Sequence, residues 1–173
     1  MQDYFSLFSL PQGFEVDRQL LDEHYRILQR TVHPDRYASA GDQERRIAIQ
    51  QAAEINEGYR VLKDPLARGR YLLELQGHAF DDEQATHQDP EFLMEQMELR
   101  ESLEEVRAES DAFGRVQELI TQIDTRMEQL TSSLAKALNE KDTETACLFL
   151  QRMQFFRKLA QEAEELEADL EDY

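Results

Sequence analysis

Cysteine, proline, glycine and long apolar runs are all scarce in this 173-residue sequence, and each scarcity excludes a class of protein. One cysteine, Cys147, can form neither an internal disulfide nor a cysteine-rich zinc site, and its helical surroundings predict a small buried hydrophobe. Four prolines, six glycines and the lack of alternating β-branched runs favour an all-helical protein. No apolar run reaches the length of a membrane span, and the first ten residues lack the positive n-region of a secretion signal. We therefore expect a cytoplasmic, all-α protein.

Positive charge is also in short supply. The formal net charge of −18 argues against general nucleic-acid binding, because that activity needs clustered Lys and Arg side chains. The deficit is uneven, since residues 1–75 hold 12 acidic and 10 basic side chains whereas residues 76–173 hold 25 acidic and 9 basic. The two parts differ in electrostatic character, which suggests two surfaces for two partners.

The stretch from Leu20 to Asp35 predicts an amphipathic helix. Its apolar side chains recur at spacings of four, three and four residues, which places them on one buried stripe: Leu21, Tyr25, Leu28 and Val32. Arg26 and Arg30 lie four residues apart on a different face, where we expect both charges to be exposed.

This helix pattern stops at the tripeptide His33-Pro34-Asp35. Pro34 has no N–H to donate, and its ring pushes the preceding residue out of the helical conformation. The basic helix face should therefore end in a loop that displays an imidazole and a carboxylate, with Arg36 adding a third positive charge. Taken alone, such a stop is commonplace, and a turn with a solvated Asp is its more usual meaning.

Residues 52–65, AAEINEGYRVLKDP, form a second helical pattern. Its apolar residues again step by four and three: Ile55, Tyr59 and Leu62. Asp64 is placed to cap a further helix, and Pro65 suits the first turn of that helix. An amphipathic helix, a His-Pro-Asp loop and a longer helix closing in INEGYRVLKDP together resemble a J-domain. Two positions depart from that family: Val32 stands where an aromatic residue is usual, and Gly58, in place of alanine, should cost about 1 kcal/mol of helix stability.

The remainder of the chain predicts a second helical domain. Residues 77–89 are polar, lack periodicity and read as a linker between a J-domain at 1–76 and a domain at 90–173. That domain contains three long helical patterns, near residues 90–109, 111–138 and 143–171. Short connections favour antiparallel neighbours, so we expect a three-helix bundle.

The helix that begins at Pro90 carries more apolar side chains than one buried stripe needs. A core seam is predicted at spacings of seven, four and three: Phe92, Leu99, Leu103 and Val106. Leu93, Met94 and Met97 lie to the side of that seam, and Phe155, offset from the stripe of the last helix, is placed to join them. Charged residues surround this group: Glu98, Glu101, Glu104 and Arg100. Two interpretations stay open, a wide buried face or an exposed apolar patch with an acidic rim, which usually marks a partner site.

A J-domain followed by a linker and an acidic bundle that opens with FLMEQMELRE resembles the HscB family, the J-domain co-chaperones of iron–sulfur cluster assembly. The resemblance covers the whole chain and is most specific in YRILQRTVHPDRYAS, in INEGYRVLKDP and in residues 92–101. It implies that the J-domain stimulates ATP hydrolysis by a DnaK-type chaperone of the HscA kind, through His33, Pro34, Asp35, Arg26, Arg30 and Arg36. It also implies that the bundle binds the scaffold protein IscU, through Leu93, Met94, Met97, Glu98, Glu101 and Phe155. The resemblance implies no cofactor, and the cysteines that bind zinc in some relatives are absent.

Three alternatives remain. A J-domain adaptor could deliver a different client, and a purely structural helical protein could self-associate through the same apolar patch. Catalysis by the chain itself has little support, because the four histidines are scattered without metal-ligand spacing and no Gly-rich phosphate loop is present: His24, His33, His78 and His87.

Overall fold

The computed structural model describes residues 3–33, 37, 41–78, 90–109 and 111–171, and every regular element within these ranges is helical. The chain divides into two compact units, residues 1–78 and 79–173. The predicted fold class, an all-α J-domain followed by a helical bundle, is confirmed. Within the described ranges, no helix combines the length and apolar character that crossing a membrane would require.

The described part of the first unit contains four α-helices: α1 (Tyr4–Leu7), α2 (Arg18–Thr31), α3 (Asp42–Lys63) and α4 (Pro65–Leu75). The side chain of Asp17 accepts a hydrogen bond from the Leu20 amide at 3.0 Å and so caps the start of α2. Asp64 caps α4 in the same way, accepting from the Ala67 amide at 3.0 Å, with Pro65 in the first turn. The predicted start of α4 is therefore confirmed.

The core of the first unit forms where α1 and the segment after it cover α3 and α4. Its largest fully buried side chains are Phe5, Phe8, Leu21, Leu62 and Leu73. The Tyr4 ring stacks on the Tyr71 ring with centroids 4.7 Å apart, and the Tyr71 hydroxyl accepts a hydrogen bond from the Tyr4 amide. These contacts join the first helix of the unit to the last.

Gly58 lies buried at the point where α1 approaches α3. A Cβ atom added there would lie 2.9 Å from Cδ1 of Tyr4 and 3.0 Å from Cε2 of Phe8. Ordinary side chains do not pack that closely, so the departure from the usual J-domain alanine makes room for two aromatic rings. The expected loss of helix stability at this glycine is offset by the packing that it allows.

Among the residues of the second unit that the structure describes, three α-helices and one short turn occur: α5 (Pro90–Glu105), a 3₁₀ turn (Val106–Ala108), α6 (Ala112–Asn139) and α7 (Thr143–Glu171). Gln117 near the start of α6 donates a hydrogen bond to Glu167 near the end of α7 at 3.1 Å, so these two helices run antiparallel. The core between them contains large apolar side chains that are fully buried: Val116, Ile123, Leu134, Leu150, Met153 and Phe156.

Helix α5 differs from its prediction in two respects. It ends at Glu105 and continues as a 3₁₀ turn instead of remaining α-helical to residue 109. The predicted core seam is also only partly buried, because Val106 is fully buried whereas the other three members are half-buried: Phe92, Leu99 and Leu103. The physical reason is composition, since the six glutamates of α5 keep most of its circumference in water.

Candidate functional site

Two surfaces, one in each unit, contain the side chains that the sequence singled out. In the first unit, Arg26 and Arg30 are exposed on α2, and His33 is exposed just beyond its end. All three line one groove of about 500 Å³, together with Gln29, Val32, Ala52 and Asn56. We call this surface the basic groove. Pro34, Asp35 and Arg36, the other predicted chaperone-binding residues, lie outside the described residues.

Aromatic and polar contacts between α2 and α3 hold the basic groove in place. The rings of Tyr25 and Tyr59 stack with centroids 3.9 Å apart. The Tyr25 hydroxyl donates to Oδ1 of Asn56 at 2.9 Å, and the Gln29 amide group donates to the same atom at 3.2 Å. On the other side of the stack, the Tyr59 hydroxyl donates to Asp22 at 2.8 Å. The basic face of α2 is thereby fixed against α3. This face ends close to His33, the first residue of the His-Pro-Asp tripeptide.

An apolar groove of about 610 Å³ adjoins the basic groove and was not anticipated from the sequence. It is lined by Val32, Tyr37, Arg45, Ala48, Ile49, Ala52, Ala53 and Asn56. Ile49 is 61% exposed. A helical wheel of α3 could have indicated the exposure of Ile49, because this residue falls more than 90° away from the stripe that contains Ile55 and Leu62. The first unit therefore presents an apolar wall beside its cationic side chains.

In the second unit, the exposed side chains of α5 form an apolar patch. Leu93 is 51% exposed, Met94 62% and Met97 65%, which excludes the interpretation that these three residues belong to a wide buried face. Glu98 and Glu101 are exposed beside them. We call Leu93, Met94 and Met97 the apolar patch, with the glutamates as its acidic rim.

Phe155 of α7 is half-buried and packs against α5 near the start of that helix. Its ring makes edge contacts with Phe92 and Phe156, with centroids 5.6 Å and 5.3 Å apart respectively. Such edge-to-face pairs are typical of stable aromatic clusters. Phe155 therefore supports α5 and presents part of its ring at the surface.

Helix α5 is held at the other side by an ion pair. Oε1 of Glu95 lies 3.1 Å from Nε of Arg126 on α6, and both side chains are about one-third exposed. With the buried Val106 and the aromatic cluster, this pair orients α5 so that the apolar patch faces solvent.

Two further titratable or metal-binding features of the described ranges bear on the site. No group of three or more His, Cys, Asp or Glu side chains there could hold a metal ion. His24 is a packed histidine, because its Nδ1 pairs with the carbonyl oxygen of Phe8. Cys147 is half-buried and not fully buried as predicted. Its partial burial still raises the pKa of the thiol above its ordinary value, which keeps the thiol protonated and poorly nucleophilic at neutral pH.

Comparisons with known proteins agree over nearly the whole chain. A model of the HSCB C-terminal oligomerisation domain matches residues 88–164. A co-chaperone protein HscB homolog of Colwellia psychrerythraea is 40% identical over 173 residues, which cover 98% of this chain and 99% of that relative. The solved structure of chaperone HscB from Vibrio cholerae has a TM-score of 0.89 at 40% identity, covering 98% of this chain and 99% of that one. The crystal structure of human co-chaperone protein HscB has a TM-score of 0.88 at 32% identity, covering 95% of this chain and 82% of that one. The chain therefore belongs to the HscB family of J-domain co-chaperones of iron–sulfur cluster assembly.

Proposed function

We propose that this chain stimulates the ATPase of a DnaK-type chaperone of the HscA kind and delivers to it the iron–sulfur scaffold protein IscU. The J-domain, residues 1–76, would engage the chaperone, and the bundle, residues 90–173, would hold the scaffold, with residues 77–89 as the linker. The observation that carries the proposal is the exposure of Leu93, Met94 and Met97 in a chain that is similar to HscB co-chaperones over nearly its whole length.

The chaperone contact is assigned to His33, Pro34 and Asp35, with Arg26, Arg30 and Arg36 as cationic support. The placement of Arg26, Arg30 and His33 supports this assignment, because all three side chains line the same groove. Exposed arginines suit an acidic partner surface, which they attract toward the groove over distances up to about a Debye length.

The scaffold contact is assigned to Leu93, Met94, Met97, Glu98, Glu101 and Phe155. Leu93, Met94 and Met97 are between half and two-thirds exposed, so covering each of them would contribute roughly 1–2 kcal/mol, enough together with part of Phe155 for a micromolar contact after association costs. The single cysteine favours a reducing cytoplasm as the place of action.

ATP turnover measured with a purified HscA-type chaperone tests the first half of the proposal. We expect stimulation by the wild-type chain, and its loss with His33→Gln or Asp35→Ala. Arg46→Gln is the matched control, because it removes an exposed cation of α3 that lines neither groove. Appreciable ATP hydrolysis by this chain without the chaperone would overturn the assignment as a co-chaperone.

Calorimetric titration with IscU, with and without its cluster, tests the second half. We expect binding by the wild-type chain and its loss when Leu93, Met97 and Phe155 are all replaced by alanine. A chain that stimulates the chaperone but binds no scaffold would instead be an adaptor for a different client.

A second use of the apolar patch is self-association, and the description of the matched family model as an oligomerisation domain favours testing it. Sedimentation equilibrium of the wild-type chain and of the triple alanine variant distinguishes the two uses. An oligomer that the triple variant abolishes would show that the patch also binds a second copy of this chain.

A further inference from the structure

The methionine sulfur atoms that solvent can reach lie on one surface of the chain. Four of the five methionines fall within the described residues, and of these four only Met94 and Met97 are exposed. Met127 is half-buried on α6, and Met153 is fully buried between α6 and α7. Because positions 94 and 97 are three residues apart on α5, their side chains share one helix face. An oxidant dissolved in water therefore meets both thioethers on the apolar patch.

The single cysteine is a poorer target for such an oxidant. Cys147 is half-buried, and this burial raises the pKa of its thiol, so little of it is the reactive thiolate at neutral pH. A thioether has no ionisable proton, and its reactivity depends mainly on whether the oxidant can reach the sulfur. The sulfur atoms of the described residues that react first are therefore those of Met94 and Met97.

Oxidation converts each exposed thioether into a sulfoxide. With hydrogen peroxide as the oxidant, a lone pair of the methionine sulfur attacks one peroxide oxygen. The S–O bond forms, the O–O bond breaks, and the second oxygen takes up the proton and leaves as water. The sulfur loses the two electrons that the peroxide gains. No bond of the chain is broken, and methionine sulfoxide reductases reverse the change.

A sulfoxide on α5 opposes burial of the apolar patch. Its oxygen accepts hydrogen bonds and the group has no donor of its own. Glu98 follows Met94 by four residues and Glu101 follows Met97 by four, so each sulfoxide lies beside a carboxylate that cannot donate to it at neutral pH. In the free chain water would satisfy the sulfoxide oxygen, whereas an apolar partner surface would remove that water without replacing its hydrogen bonds.

We propose that Met94 and Met97 form an oxidation site through which peroxide releases the scaffold from the apolar patch. The reduced chain binds the scaffold, the doubly oxidised chain binds it weakly, and reduction of the two sulfoxides restores binding. The described residues of the first unit contain no methionine, so the basic groove is not a target of the same reaction. The inference rests on the proposed scaffold binding and adds the regulation of that contact.

Peptide mass mapping and calorimetry with purified IscU test the inference. The folded chain is treated with hydrogen peroxide at pH 7, the peroxide is removed, and mapping locates each added oxygen atom. We expect Met94 and Met97 to be oxidised before Met127 and Met153. The affinity for IscU should then fall about tenfold or more, the size expected when a polar group is buried without a partner, and methionine sulfoxide reductases should restore it. Unchanged affinity of a chain that carries both sulfoxides would overturn the inference.

Two variants identify the sulfur atoms that are responsible. Met94→Leu combined with Met97→Leu removes both exposed thioethers but keeps Cys147 and the other methionines. Leucine conserves apolar volume, so binding should remain measurable, and the ratio of its affinities before and after peroxide should be close to one. Met127→Leu is the matched control and should lose affinity on oxidation as wild type does.

An equal loss of affinity in the double-leucine variant would contradict the inference, because a different group would then respond to peroxide. A reduced wild-type chain that fails to bind IscU would instead overturn the proposed function itself.

Discussion

At the scale of single residues, Gly58 explains a departure from the J-domain pattern that the sequence alone made look unfavourable. Its missing Cβ admits the rings of Tyr4 and Phe8, which lie at the opposite end of the first unit's sequence. A helical pattern reports neighbours three or four residues apart, so no local signal could reveal this contact. By contrast, the exposure of Arg26 and Arg30 was predictable from the periodicity of α2, and that of His33 from the helix stop that Pro34 imposes.

Replacing Gly58 with alanine should destabilise the first unit. The added methyl group must displace the Tyr4 ring, and overpacking of this kind outweighs the gain in helix propensity by about 1 kcal/mol. Urea unfolding followed by circular dichroism measures the change. The control is Ala53, which is exposed on the same helix. There alanine should be more stable than glycine, so Ala53→Gly should lower the free energy of unfolding. A Gly58→Ala variant that is more stable than wild type would contradict the packing argument.

Cys147 should react slowly in the folded chain. Burial raises the pKa of its thiol, so a smaller fraction is thiolate at pH 8 than in the unfolded chain. We expect alkylation by iodoacetamide at pH 8 to be slower in buffer than in urea, and the folded rate to keep rising with pH beyond the point where the unfolded rate levels off. Equal rates in both conditions would contradict burial of the thiol.

At the scale of elements, helix starts were more predictable than the extent of burial. The capping role of Asp64 and the first-turn position of Pro65 are chemical signals that the sequence states directly, and both appear in the structure. The change from α-helix to a 3₁₀ turn at Val106 has no such signal, since neither glycine nor proline marks it. How deeply α5 is buried depends on its contacts with α6 and α7, which a single helical pattern cannot supply.

Two alanine substitutions, one on α5 and one on the 3₁₀ turn, should distinguish residues that stabilise the second unit from residues that bind the scaffold. Val106 is fully buried, so Val106→Ala should lower the free energy of unfolding of the second unit by about 2 kcal/mol. Leu93 is half exposed, so Leu93→Ala should change that free energy by about 0.5 kcal/mol or less while weakening scaffold binding. Hydrogen exchange of the bundle amides and calorimetry with IscU supply the two readouts. If Leu93→Ala proved the more destabilising variant, the apolar patch would not be the solvent-facing surface described above.

At the scale of the whole molecule, the uneven charge of the chain corresponds to two surfaces of different chemistry. The first unit presents arginines and a histidine around the basic groove, and the second presents apolar side chains in an acidic rim. The charge split between residues 1–75 and 76–173 was sufficient to predict two partners, whereas their identities depend on the family resemblance.

Salt should affect the two contacts of this chain to different extents. The chaperone contact that we propose at the basic groove would rely on exposed charges, which are screened at high ionic strength, whereas burial of the apolar patch in the proposed scaffold contact would be much less sensitive to salt. We expect the concentration of the chain needed for half-maximal chaperone stimulation to rise several-fold between 50 mM and 300 mM salt. The affinity for IscU should change by a smaller factor over the same range. A scaffold contact more salt-sensitive than the chaperone contact would contradict the assignment of the apolar patch.

The central claim is that one chain uses both surfaces at the same moment, and a mixing experiment tests it most directly. The His33→Gln variant keeps the apolar patch, and the variant with Leu93, Met97 and Phe155 replaced by alanine keeps the basic groove. Steady-state ATP hydrolysis by the HscA-type chaperone is measured at low IscU concentration with wild type, with each variant alone, and with the two variants mixed. The account predicts strong stimulation by wild type and no recovery in the mixture, because neither chain can carry the scaffold to the chaperone. Wild-type stimulation by the mixture would contradict it, since the two surfaces would then act without being joined.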